Sequence, residues 1–168
     1  FLIKKNFIKI NQKKILQISK LIGSDVILGI NPKSAILSSN GIVKKFSKTS
    51  RFNILLIRPN FGCSTKKIYS GVKNFSKPIL NNPRKNMMNL KFLLKYKNDL
   101  EKIAFIKHPK LKILKSFLEN LNQPIFVRMT GSGSVMVAYY QKKQDCELAK
   151  VRFKRNFKNY WCNTSKTI

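Results

Sequence analysis

Acidic residues are scarce in this sequence: 6 Asp and Glu stand against 35 Lys and Arg over 168 residues, a formal net charge of +29. An excess of that size favours polyanionic partners, among them nucleic acid, anionic membrane and nucleotide substrates. The basic residues are nonetheless spread along the whole chain, with no basic arm and no helix carrying one purely basic face. Lys, Asn and Ile are abundant together, which fits a compositional bias. Basic composition alone supports only weak, salt-sensitive binding, so no specific nucleic-acid partner is expected. Histidine occurs once, at His108, and Cys63, Cys146 and Cys162 lie far apart without a Cys-x-x-Cys pair. That speaks against a zinc site, and no metal ligands are assigned. Scattered cysteines point to a reducing compartment, hence a cytoplasmic location. No apolar run approaches the ~20 residues that cross a bilayer. Phe1-Leu2-Ile3 is cut short by Lys4-Lys5, unlike a signal-peptide core, and no membrane partner is expected. The chain opens on Phe1 rather than Met, within a stretch that reads as the tail of a helix over 1–7, and is expected to be a fragment.

Apolar residues make up 43% of the chain, enough for a packed core. Asn11 is placed to cap a helix whose apolar side carries Ile15, Ile18 and Ile22 and which ends at Gly23. Asp25 follows, where a turn or capping aspartate is the plain reading. Residues 34–38 and 42–46 read as short strands around the hairpin signal Asn40-Gly41. Residues 52–57 form a buried strand that stops at Pro59, and Ser64 or Thr65 opens a helix running to about Val72. Pro78 and Pro83 mark a loop over 76–85, and residues 87–96 read as a short helix. Asn98 and Glu101 form a capping-box pattern at the next helix, which His108-Pro109 breaks. Leu111, Leu114 and Leu118 are the apolar stripe of another. Strands over 124–129 and 134–140, a helix over 142–157 with Cys146, Ala149 and Phe153 on one face, and a strand over 160–167 complete the chain. The order gives an α+β fold, a sheet of ferredoxin-like topology.

Between the strands at 124–129 and 134–140 lies Thr130-Gly131-Ser132-Gly133. Two glycines permit left-handed backbone and close approach. Such a turn is either an ordinary hairpin or a concavity whose successive N–H groups bind an anion. A dinucleotide fingerprint is excluded, because Met136 holds the sixth position and no helix follows. No Gly-Lys-Ser/Thr closes a P-loop.

Gly23-Ser24-Asp25-Val26, Asn98-Asp99-Leu100-Glu101 and Met129-Thr130-Gly131-Ser132-Gly133-Ser134 together resemble the C-terminal half of the GHMP family of small-molecule kinases. Within it they are similar to the 4-diphosphocytidyl-2-C-methyl-D-erythritol kinases of the non-mevalonate isoprenoid pathway, from about Ile15 to the end. The resemblance implies a remnant of the N-terminal kinase domain over 1–47 and the GHMP C-terminal domain over 48–168. It implies ATP and Mg²⁺ as cofactors and, as partner, a small-molecule substrate with a cytidine diphosphate group. Asp25 becomes the catalytic residue that accepts the proton of the attacking hydroxyl or orients it. Thr65 and Tyr69 become substrate-binding residues, Tyr69 stacking on cytosine; packing on the sheet is the other reading of Tyr69. Thr130, Gly131, Ser132 and Gly133 become the phosphate-site turn. Ile27 departs from the family's usual proline, and Ser39-Asn40-Gly41-Ile42 from its Gly-x-Gly-Glu. The family's Gly/Ser-rich ATP loop and its N-terminal lysine have no counterpart in this sequence. The alternatives are another GHMP kinase, such as a homoserine or mevalonate kinase, or a basic module that binds RNA through its sheet. The aliphatic strand at 52–57 counts against the last.

Overall fold

The computed structural model describes residues 10–23, 25–30, 33–39, 41–47 and 49–168. The expected helix tail at 1–7, Ser24 and Asn40 lie outside them. The chain divides into two units. The first takes in residues up to Thr49, together with Pro78–Met87 and Ile168, and the second takes in Ser50–Lys77 and Met88–Thr167.

In the first unit, Asn11 caps α1 (Gln12–Ile22) as its sequence position predicts, its side chain accepting from Lys14 N at 2.8 Å. The stripe foreseen on α1 stays largely at the surface: Ile18 and Ile22 are exposed, and Leu21 beside them is 88% exposed. A one-turn helix, α2 (Val26–Ile30), follows Asp25. β1 (Ala35–Leu37) and β2 (Val43–Lys45) form the expected hairpin, with Ile36 opposite Lys44.

The second unit holds β3 (Asn53–Arg58), α3 (Thr65–Tyr69), α4 (Leu90–Lys95), α5 (Leu100–Lys107), α6 (Pro109–Glu119), β4 (Phe126–Met129), β5 (Met136–Tyr140), α7 (Lys143–Asn156) and β6 (Trp161–Lys166). Its four strands pair antiparallel in the order β4-β5-β3-β6, the ferredoxin-like arrangement expected from the sequence. Strand period and helix period converge on one core. Leu55 and Ile57 of β3 and Met136, Ala138 and Tyr140 of β5 are fully buried, together with Leu111, Leu114 and Leu118 of α6 and Ala149 and Phe153 of α7. The Tyr140 hydroxyl is satisfied there by donating to the Leu121 carbonyl at 2.8 Å.

Two boundaries differ from the sequence reading. α3 stops at Tyr69, where Gly71 N and Val72 N turn to the Ile68 and Tyr69 carbonyls three residues back, both at 3.1 Å, instead of continuing the α-helical bonds. The segment read as one helix over 87–96 splits into a 3₁₀ turn, Lys85–Met88, and α4, because Asn89 caps a new start by accepting from Phe92 N at 3.0 Å.

Burial in the core pushes the Cys146 thiol up to about 11 from its ordinary 9.0. The unfolded thiol therefore ionises first, and the stability that Cys146 contributes falls as pH rises from about 9 to about 11. Denaturant midpoints of the parent and Cys146→Ala should lie closer together at about pH 10.5 than at about pH 8. A gap that is the same at both pH values would contradict this.

Candidate functional site

The glycine turn joins β4 to β5 and is held from within and from behind. Thr130 N donates to the Val135 carbonyl and Gly133 N to the Thr130 carbonyl, both at 2.9 Å. Two of the N–H groups are thus consumed in making the turn, while those of Gly131 and Ser132 have no hydrogen-bond partner among the described residues. Gly131 and Gly133 take φ of 49° and 88°, where L side chains are strained. A Cβ on Gly133 would stand 2.8 Å from Met129 Sδ and 3.2 Å from Cys63 Sγ, so the turn packs tightly there. Beside Gly131 the space is open.

Behind the turn, Asn98 does more than the cap assigned to it. Its Oδ1 accepts from Leu100 N at 3.0 Å, while its Nδ2 donates to the Met129 carbonyl at 3.0 Å and the Gly131 carbonyl at 2.8 Å. Glu101 does not close a capping box. Its Oε1 accepts from Met129 N at 2.8 Å and its Oε2 pairs with Lys115 Nζ at 2.6 Å. The orphan N–H of the β4 end outcompetes the local helix start, because it is otherwise left without a partner. The spacing Asn98-Asp99-Leu100-Glu101 was visible in the sequence, but its long-range partners were not.

In front of the turn lies a cleft of about 450 Å³ lined by Tyr69, Phe75, Asn98, Asp99, Met129 and Gly131, among others. Tyr69 is 50% exposed, whereas Ile68 beside it is fully buried in the core. Phe75, unforeseen in the sequence, is 60% exposed with its ring centroid 6.4 Å from that of Tyr69. Thr65 reaches the turn directly, its Oγ1 lying 2.9 Å from Ser132 Oγ. The Asp99 carboxyl is held below its ordinary range by hydrogen bonds from the Ser76 hydroxyl and then the Ser76 N–H. Thr65, Tyr69, Thr130, Gly131, Ser132 and Gly133 are therefore gathered in one unit. Asp25 belongs to the other, in an exposed turn immediately before α2, its carbonyl accepting from Leu28 N at 3.1 Å. Among the described residues no three His, Cys, Asp or Glu side chains come together as a metal site. No helix among them is long and apolar enough to cross a membrane.

The family described as GHMP kinases C terminal matches residues 75–159. A 4-diphosphocytidyl-2-C-methyl-D-erythritol kinase of Pelagibacter ubique is 52% identical over 168 residues, which is 100% of this chain and 60% of that protein. The enzyme of the same name from Anaplasma phagocytophilum is 27% identical over 163 residues, 95% of this chain and 55% of its own length. This chain thus spans a little over half the length of these relatives. Two crystal structures share the fold. One is a 4-(cytidine 5'-diphospho)-2C-methyl-D-erythritol kinase at TM-score 0.67 and 20% identity, covering 86% of this chain and 54% of that one. The other is a homoserine kinase from Cytophaga hutchinsonii at TM-score 0.64 and 12% identity, covering 85% and 50%.

Proposed function

Because the chain belongs to the GHMP kinase family, we propose that it works as part of an ATP-dependent kinase. The kinase phosphorylates a hydroxyl of 4-diphosphocytidyl-2-C-methyl-D-erythritol, a step in non-mevalonate isoprenoid precursor synthesis. The observation that carries this reading is the cleft in which an exposed Tyr69 faces the glycine turn. Identity of 52% to a kinase of that name supports the cytidyl substrate over homoserine or mevalonate. Residues 1–47 belong to the kinase N-terminal domain in this reading and 48–168 to the C-terminal one. Asp25 takes the proton of the attacking hydroxyl or holds that oxygen in line, and transfer rests on positioning and charge. ATP supplies the phosphoryl group. On this chain Gly131 and Ser132 would hold phosphate oxygens, since their N–H groups have no hydrogen-bond partner among the described residues. Mg²⁺ would come with the ATP phosphates, needing only one or two protein carboxylates beside phosphate and water, and no residue of this chain is assigned to it.

The test is ATP-dependent phosphorylation of that substrate, against homoserine and mevalonate as competing acceptors. Residues 1–168 are supplied with the portion of the Pelagibacter ubique relative that this chain does not match. Preference for homoserine or mevalonate would overturn the substrate. Within the same assay, Tyr69→Ala should weaken the cytidyl substrate by about 5- to 150-fold, the range of one base–aromatic stack, and leave ATP unchanged. Tyr69→Phe should stay near the parent, and equal loss for both ligands would assign Tyr69 to packing instead.

A further inference from the structure

The two unpartnered amides of the glycine turn are each the far side of a peptide group whose carbonyl is held. The peptide bonds entering Gly131 and Ser132 are trans, so in each plane the N–H points opposite to the C=O. The Thr130 carbonyl accepts from Gly133 N at 2.9 Å, which directs the Gly131 N–H away from that bond. The Gly131 carbonyl accepts from Asn98 Nδ2 at 2.8 Å, which directs the Ser132 N–H to the side opposite Asn98. The first lock belongs to the turn itself. The second comes from another element, 33 residues away in sequence.

Asn98 gives all its hydrogen-bonding groups to this arrangement. Its other Nδ2 proton goes to the Met129 carbonyl at 3.0 Å, and its Oδ1 accepts from Leu100 N at 3.0 Å. The Oδ1 bond fixes the amide plane against the start of α5, and the two Nδ2 bonds fix the turn against the amide. Without them, a glycine before the Ser132 peptide would let that plane rotate at little cost. A hydrogen bond at a carbonyl also polarises its peptide, so the Ser132 N–H becomes a stronger donor.

We propose that Asn98 is a positioning residue for the phosphate group, aiming and strengthening the Ser132 N–H through the Gly131 carbonyl. This deepens the proposed function and rests on the reading of Gly131 and Ser132 as the phosphate site. A donor held in place before binding outperforms one that must first be turned, because no ordering remains to be done. The residue type follows from the geometry. Serine or aspartate can make the bond to Leu100 N, but neither can donate to two carbonyls at once.

Pyrophosphate is titrated onto the isotope-labelled 168-residue chain by NMR, following the Gly131 and Ser132 amides, with a melting temperature taken for every variant. In the parent both amides should shift on binding. Asn98→Ser, which keeps the bond to Leu100 N and adds no charge, should weaken pyrophosphate by about tenfold, the worth of one hydrogen bond to a charged group. Before any ligand is added, its Ser132 amide should already move upfield, while that of Gly131 stays near the parent position. Asn98→Asp sets a carboxylate against two carbonyls and should lose more affinity. In the kinase assay, Asn98→Ser should raise KM for ATP and leave KM for the cytidyl substrate unchanged. An unmoved Ser132 amide, or equal loss of both substrates, assigns Asn98 to general stability and overturns this inference. Gly131→Val keeps the two readings apart. Pyrophosphate lost in Gly131→Val but bound as by the parent in Asn98→Ser overturns the role of Asn98 and leaves the phosphate site standing. A parent chain that binds no pyrophosphate, or a Gly131→Val variant that binds it as the parent does, overturns both.

Discussion

Asp25→Asn should lower turnover of the reconstituted kinase by about 10²–10⁴-fold, the contribution of a well-placed general base. The variant's melting temperature and both substrate affinities should stay near parent values. The substitution separates the two readings of the residue. An asparagine serves a turn or a helix start as well as an aspartate does, so a structural role survives the change. Asparagine carries no charge and accepts no proton at neutral pH, so a catalytic role does not. Asp25 lies exposed in the turn before α2, and the near-isosteric amide keeps its side-chain shape. Measured turnover within a few-fold of the parent, at unchanged stability, would remove Asp25 from the chemistry.

Gly131→Val should lower kcat/KM for ATP by about 10²-fold, comparable to removing one donor from a preorganised anion site. The space beside Gly131 is open, with no atom within 4 Å of an added Cβ. What the valine alters is the backbone: φ of 49° is strained for a β-branched residue, at about 1–2 kcal/mol, and the N–H groups of Gly131 and Ser132 turn away with it. Gly133→Val is the contrasting control. There the new side chain collides with Met129 and Cys63, and the loss should appear first as a lowered melting temperature. Full activity in a stable Gly131→Val variant would make the turn an ordinary hairpin, the other reading open in the sequence.

The second unit was legible because its signals are local and periodic. Leu111, Leu114 and Leu118 announce a helix stripe, and the aliphatic run up to Ile57 before Pro59 announces a buried strand; both enter the core as expected. The glycine turn was legible as a motif. Its supports were not, since Glu101 finds Met129 N across 28 residues and Asn98 finds Gly131 across 33. A capping box is the best local use of Asn98 and Glu101, and only the three-dimensional neighbour changes the answer. Phe75 sits in a loop without periodicity, and its position depends on a single long-range carboxylate. On α1 the helix was correct, and the exposure of Ile18 and Ile22 was not legible, because spacing tells which residues share a face and not what covers that face.

Glu101 also settles how β4 ends. β4 is an edge strand, and a free N–H on an edge invites another chain to add itself to the sheet. The Glu101 carboxylate occupies the Met129 N–H, and Arg128 of the same strand is anchored to the Leu93 carbonyl at 2.9 Å. The acid that steadies the glycine turn is thus also a stopper against sheet growth. A chain with 6 acids spends one of them where it guards against self-association as well as shaping the cleft.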